Sequence, residues 1–414
     1  MNTPGVWFLF CLFMFPVKVF SQGSDHFFST QSGIKNNTAN PAALLLTGEN
    51  RWSANMFSIR ADIKSNTASV NIPGMFGGNF LRGSVLGTSA ISTGSARLLI
   101  QGPSLAYKVN SKTSVSLGTS ARLVSNYWNV DTRLLSEIGE VVKEVHDYPY
   151  FLKNQTMKMN TSVYSDLAFS VSHVLWQNER HQLTGGIAIK YINGIAHSSA
   201  EVQELSGTIK RINSYLTSLS DASGSVSTAT SGKLLSDVNL RNFLKGRPGI
   251  GSDLGLTYSF GKTAQGTHKF WFGVSITDLG HIRYRADPDY SKSYDINVPV
   301  NKGLYFNNNF NNSSFSQSTR VFDRYPEFFN KTSSSGSRYN VGLPTTTHLQ
   351  ADYQVSSDIY VSAFGTMSMR KKNVLKNLYN YNCIGIIPRL ERKNITLHLP
   401  FTFQEYTGLS VGAG

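Results

Sequence analysis

Cysteine is nearly absent from this chain: of 414 residues only Cys11 and Cys383 carry a thiol. Cys11 lies inside an apolar leading run, so an exported chain would keep Cys383 alone. That excludes an internal disulfide and a cysteine-based metal site. Charged residues are also scarce, at 15%, and there is neither a basic helix nor an RNP-like motif, which argues against nucleic-acid binding. Beyond the leading run no segment is long and apolar enough for a membrane-spanning helix, so a helical membrane protein is excluded. Catalytic signatures are missing too. The nine histidines are scattered, with no HExxH and no pair at ligand spacing, so no metal is expected. There is no Gly-x-Ser-x-Gly elbow. Gly261-Lys262-Thr263 lacks the spacing and following helix of a phosphate loop, and Gly249-Ile250-Gly251 lacks the third glycine of a dinucleotide fingerprint. No catalytic residue and no cofactor is expected, and an enzyme is the least fitting class.

What the chain does have is alternation. From Ser252 to Phe260, Leu254, Leu256, Tyr258 and Phe260 share one face, and Asp253, Gly255, Thr257 and Ser259 the other. After a polar turn, Phe270, Phe272, Val274 and Ile276 repeat the pattern against Gly273, Ser275 and Thr277, with Trp271 as the one break. This is a period-two hairpin. Its second face is Gly, Ser and Thr rather than Lys and Glu. Small polar residues opposite large apolar ones suit a closed barrel with lipid outside and a tight, wet interior. The expected fold is all-β: a transmembrane antiparallel up-and-down barrel.

The start of the chain supports an exported address. Val6–Phe15 is an apolar run of signal-peptide length, which places residues 1–21 as a signal and cleavage near Ser21/Gln22. Phe8-Leu9-Phe10 before Cys11 is not a lipobox. The formal charge is +14, with basic clusters at Arg370-Lys371-Lys372 and Arg389–Lys393. These read as solvated loops or as contacts to anionic lipid and lipopolysaccharide head groups.

Further alternating segments run through Phe57–Ile63, Leu105–Val109, Val115–Leu123, Leu167–Val171, Leu183–Tyr191, Leu349–Tyr353, Ile359–Met367 and Ile395–Phe403. Strands of about 9–11 residues suffice for a tilted crossing. Short turns follow Val109, Trp176, Phe260 and Val355. Long polar stretches (Asn126–Tyr164, Ala196–Gly251, Leu279–Thr346, Lys371–Lys393) separate the hairpins. Short turns on one side and long loops on the other are the outer-membrane pattern. Trp52, Trp128 and Trp176 lie near strand ends, as girdle or as core. Asp131–His146 has helical spacing with Asp131 as N-cap, giving one short amphipathic helix in a loop. Ala196–Asn239 leaves a further strand pair open, and Ser291–Gly336 reads as a large loop. Ten strands end near Gln404 and Gly408–Val411 begins an eleventh, so the barrel is expected to be incomplete at the C-terminus. Arg122, Asp166, Lys190, Asp253 and Asp352 fall on the presumed lumen side. They read either as an internal charge network or as a selectivity lining.

Asn40-Pro41-Ala42 resembles the Asn-Pro-Ala element near the start of long-chain fatty-acid transporter barrels. Asn242-Phe-Leu244, Gly249 to Tyr258 and Phe272 to Gly280 resemble the mid-chain signature of an uncharacterised outer-membrane family (a domain of unknown function) from Bacteroidetes. The paired elements Asp253-Leu254-Gly255 and Asp278-Leu279-Gly280 are its most specific part. The likeness runs from about Ser32 onward. It implies a hatch or plug near the start (Gln22–Ala39 by analogy, residues 22–50 as a unit) and a barrel over 51–414, with about 14 strands in the analogy. It brings no substrate and no ligand residues. The resulting expectation is a bacterial outer-membrane barrel, porin-like or transporter-like for a hydrophobic or small solute. Its rivals are an envelope scaffold or secretion or motility component acting through extracellular loops, and a soluble secreted β-rich adhesin.

Overall fold

The alternation builds strands over most of the chain, and they join into one antiparallel sheet of 19 strands. The computed structural model describes residues 33–46, 51–66, 91–134, 148–213, 216–232, 246–262, 268–306, 318–334, 338–392 and 395–413. The strands are β1 (Trp52–Asn55), β2 (Ser58–Ser65), β3 (Ile91–Asn110), β4 (Thr113–Asp131), β5 (Tyr150–Gln177), β6 (His181–Asn213), β7 (Leu216–Ser231), β8 (Arg247–Lys262), β9 (His268–Arg285), β10 (Lys292–Val298), β11 (Leu304–Tyr305), β12 (Phe329–Ser334), β13 (Arg338–Gly342), β14 (Thr346–Gln354), β15 (Ile359–Ser368), β16 (Cys383–Arg392), β17 (Ile395–His398), β18 (Phe401–Gln404) and β19 (Gly408–Val411). Neighbours in sequence pair along the sheet. β6 pairs with β8 through its first half and with β7 through its second. β13 and β14 run end to end along β9. No ladder joins β1 or β2 to β18 or β19 among the described residues. The sheet nevertheless curls far round, because Arg122 on β4 reaches Asp278 on β9 across three intervening strands.

Long connections gather at one end of the sheet, where short turns join β6 to β7 and β18 to β19 as well. Two to five residues separate β3 from β4, β5 from β6, β8 from β9, β14 from β15, and β16 from β17, all at the other end. At the long-connection end β5 (28 residues) and β6 (33 residues) continue well past the length of a bilayer crossing. Faces are sorted by polarity. Ile59, Leu117, Phe169, Ile189, Leu256, Phe272, Leu349, Ile386, Leu397 and Phe403 point outward and stay at least 40% exposed. Their neighbours along each strand turn inward and are mostly small or polar, with Trp271 and Ile387 as large apolar exceptions. Above this belt the outward positions of β9 change to His281, Arg283 and Arg285, all exposed. Trp52 and Trp176 lie exposed at the short-turn end, whereas Trp128 is core, only 1% exposed. Trp271 faces inward, so β9 alternates through the position that looked like a break.

Two readings need correcting, and one left open is decided. Cys383–Arg392 is strand β16 rather than loop, which adds a strand to the ten expected before Gln404. Pro388 and the inward charges Arg389 and Glu391 hid it. The proline is tolerated at the break between β17 and β18, where the Leu399 N–H still reaches its carbonyl (3.0 Å). Ser291–Gly336 is not a large loop: it holds β10, β11, β12 and helix α1 (Ser318–Arg324). With β7 and the far ends of β5 and β6, these bury their own apolar cluster, including Leu205, Ile209, Tyr294, Phe306, Phe322 and Phe329. Ala196–Asn239 does contain a strand pair, the end of β6 with β7.

Asp131 caps a helix start, its Oδ1 accepting the N–H groups of Arg133 and Leu134 (both 3.0 Å). The rest of that expected helix lies outside the described residues, as does the expected signal, residues 1–21. Beside the cap, the Tyr150 hydroxyl donates to Asp131 Oδ2 (2.6 Å). Burial and that carboxylate push its pKa up to about 12.

Candidate functional site: the charged interior of the sheet

The two Asp-Leu-Gly triplets sit on paired strands and converge. β8 and β9 pair in register until Ser252/Leu254, where β9 carries an extra residue. That bulge turns Asp278 into the left-handed region (φ 57°) and aims its carboxylate inward. Its N–H donates to Asp253 Oδ1 (2.7 Å). Two residues on, Gly280 has φ 142°, and a Cβ there would lie 2.1 Å from the Ile250 carbonyl oxygen, so only glycine fits.

Four of the five predicted interior charges gather around this bulge. Lys190 Nζ on β6 lies 2.7 Å from Asp253 Oδ2 and 2.7 Å from Asp278 Oδ1. Arg122 on β4 reaches Asp278 Oδ2 (2.8 Å) with Nη1 and Asp166 Oδ2 (3.2 Å) with Nε. Ser120 donates to the same Asp166 oxygen. Two cations thus serve three carboxylates in a buried layer. Asp278 was recognised in the sequence only as part of a motif. The cue that it belongs here is its offset of one residue from the alternation of β9.

Asp352 stands apart. Arg389 grips it with two hydrogen bonds (2.7 and 2.9 Å) and holds Glu391 with Nε (2.7 Å), while the Arg389 side chain is 1% exposed. The basic cluster that read as solvated loop is therefore in part an internal ion triad. The other basic cluster is engaged as well. Arg370 donates to the carbonyls of Leu343 and Gly280 (both 2.9 Å), and Lys372 pairs with Glu405 (2.7 Å).

Below the charge layer, toward the short turns, two 3-10 turns (Gly33–Thr38 and Pro41–Leu46) pack on the inner face. Asn40 and Ala42 are completely buried. Asn40 Oδ1 accepts the Ala42 N–H (3.0 Å), capping the second turn with Pro41 at its first position, and Nδ2 donates to the Leu256 carbonyl (3.3 Å). The wall makes room with glycines: a Cβ on Gly186 would lie 2.2 Å from the Ala42 nitrogen, and one on Gly255 2.0 Å from Asn40 Oδ1. Gly255 therefore links the first Asp-Leu-Gly triplet to Asn-Pro-Ala.

Toward the long connections, residues between β15 and β16 turn into the interior. Asn126 exchanges two hydrogen bonds with the backbone of Tyr379 (3.0 Å each), and Asn160 donates to the Leu375 and Asn377 carbonyls. A cavity of about 180 Å³ remains between this segment and the charge layer, bordered by Arg97, Arg122, Tyr164, Asp278 and Tyr381. One of about 50 Å³ lies between the charge layer and the 3-10 turns. Among the described residues no group of three His, Cys, Asp or Glu is placed to hold a metal.

Residues 49–414 match the sequence profile of a family described as of unknown function, DUF5723. No curated protein sequence matches. Among solved structures, similar chains include the Ralstonia pickettii toluene transporter TbuX (14% identity, TM-score 0.41, covering 92% of this chain and 85% of that one). A Pseudomonas aeruginosa FadL homologue (10%, 0.31, 90% and 89%) and the Pseudomonas putida toluene transporter TodX (9%, 0.30, 89% and 87%) are also similar. Likeness at this level carries no functional argument.

Proposed function

The chain belongs to the DUF5723 family, and we propose that it is a bacterial outer-membrane β-barrel of the porin or transporter type, acting on a small solute, without enzymatic activity. One observation carries the reading: every crossing of the curled sheet presents large apolar side chains outward, while ion pairs and small polar residues fill the inside. In water, apolar burial is favoured by about 25 cal/mol per Å², and a monomer rarely leaves more than a few hundred Å² of contiguous apolar surface uncovered. A belt running round all the crossings needs lipid. In this reading the segment from 22 to 50 is a hatch, its Asn40-Pro41-Ala42 element seated on the glycines of the wall. The barrel passes solute only when that element or the segment between β15 and β16 moves.

The structured layer at the long-loop end favours a second reading. Its own apolar cluster around Tyr294 and Phe329 suits an extracellular module that binds a partner, with the barrel as its anchor. Reconstitution distinguishes the two. Liposomes containing the protein should swell in a small osmolyte faster when the 3-10 turns are loosened by Gly186→Ala than with the wild type. Equal rates for both proteins and for empty liposomes favour the anchored module.

A further inference from the structure

From the outward face of β9 and β13 we infer that the barrel wall carries a site for the phosphorylated glycolipid of the outer leaflet, lipid A, with Arg285 and Arg338 receiving a phosphate and Arg283 supporting them. This rests on the outer-membrane reading above and adds to it a lipid-binding site outside the lumen.

The height of the site follows from β9. Its outward apolar side chains run from Phe270 to Leu279. At about 3.4 Å per residue and the roughly 40° tilt of such barrels, that stretch covers about 23 Å along the membrane normal, close to the ~25 Å of an outer-membrane apolar band. The next outward positions, His281, Arg283 and Arg285, are exposed. They fall at head-group height on the long-loop side, which is the outer leaflet. On the neighbouring strand Arg338, also exposed, pairs directly with Arg285, and Asn340 with Arg283. Directly opposite residues share a face, so two guanidinium groups stand side by side; like charges so placed are destabilising, and an anion between them removes that cost. No carboxylate among the described residues pairs with Arg283, Arg285 or Arg338. The next acids along the chain, Asp287 and Asp289, close a turn of their own, Asp287 Oδ1 accepting the Asp289 N–H (3.0 Å). The three residues before Arg338 are Ser-Gly-Ser and bring no charge. Guanidinium forks match the oxygens of a phosphate. Beside them the wall is apolar. Ile250 on β8 pairs with His281, and Tyr191 on β6 pairs with Ile250; both point outward, 73% and 57% exposed. A free anion gains nothing from Ile250 and Tyr191, whereas an acyl chain lying along them brings its phosphate-bearing end to the arginines. The basic runs prominent in the sequence take no part, since Arg370, Lys372 and Arg389 are engaged elsewhere.

The test is native mass spectrometry of the full-length protein in detergent, titrated with bisphosphorylated lipid A, with dephosphorylated lipid A and phosphatidylglycerol for comparison. Saturable lipid A binding is expected. Both comparison lipids, and lipid A on the Arg285→Gln/Arg338→Gln protein, should bind at least about tenfold more weakly, as the loss of charge-assisted hydrogen bonds requires. Arg283→Gln alone should weaken lipid A several-fold. Lys112→Gln, which removes an exposed cation at the short-turn end, should leave it unchanged. Heat-modifiable mobility of each preparation reports separately whether the barrel has formed. A heat-modifiable wild-type protein that takes up no lipid A, or that holds phosphatidylglycerol as tightly, overturns the site and leaves the barrel reading intact. So does undiminished binding by the double variant, or an equal loss in Lys112→Gln. A wild-type protein whose mobility heating does not change overturns both.

Discussion

The backbone N–H of Asp278 donates to the Asp253 carboxylate at 2.7 Å, which ties two Asp-Leu-Gly triplets together across a β-bulge and presents both carboxylates to Lys190.

Replacing Lys190 by Met should therefore leave two buried carboxylates without their shared cation. Removing one partner of a buried pair typically costs about 3–5 kcal/mol, so the urea midpoint for loss of the folded gel band should fall markedly. Adding Asp253→Asn to Lys190→Met should recover part of the loss. A midpoint unchanged by Lys190→Met would mean that the network does not hold the wall together.

Gly186→Ala acts on the other side of the layer. Its new Cβ would meet the Ala42 backbone at 2.2 Å, and backbone cannot swing aside as a side-chain tip can. The 3-10 turns should undock and residues 33–46 become open to limited proteolysis, while the barrel band persists. Continued protection of that segment would show that the fit tolerates a methyl group.

His197 gives a pH dependence outside the belt. It stacks on Tyr284 (5.2 Å between ring centres), Nδ1 contacts the Tyr339 hydroxyl (2.9 Å), and Nε2 has no partner among the described residues. Burial lowers its pKa from 6.5 to about 3. The unfolded chain takes up a proton as pH falls below 6.5 while the folded chain does not, so stability declines from there toward pH 3, by up to about 1.4 kcal/mol per pH unit. Urea midpoints at pH 7 and pH 4.5 should differ more in the wild type than in His197→Phe. Equal differences would contradict the assignment.

Arg389 should be coupled strongly to Asp352. Arg389→Leu leaves Asp352 and Glu391 buried together and should cost more than Arg389→Leu with Asp352→Leu. In a double-mutant cycle on urea midpoints the coupling energy should exceed the roughly 0.2–1 kcal/mol of exposed pairs. A value within that range would place the triad in contact with water.

Much of this was legible in the sequence because a barrel-type strand carries its own face assignment: Leu254, Leu256, Phe270 and Phe272 alternate with Gly and Ser whatever the neighbours are. The inward location of Arg122, Asp166, Lys190 and Asp253 followed from the same parity. Three features were missed. Asp278 is shifted by the bulge, β16 is interrupted by Pro388 and lined by inward charges, and β10 is hidden in an Asn- and Ser-rich stretch whose apolar face is only Tyr294, Ile296 and Val298. Pairing was illegible for a different reason. Which cation meets which carboxylate depends on how far the sheet curls, and that is set by contacts between strands distant in sequence.

The most direct measurement is fractionation of the full-length protein from a diderm host, followed by gel mobility with and without heating. A carbonate-resistant band in the outer-membrane fraction that migrates faster unheated is the result predicted by the apolar belt. Release by carbonate, with mobility that heating does not change, would contradict it.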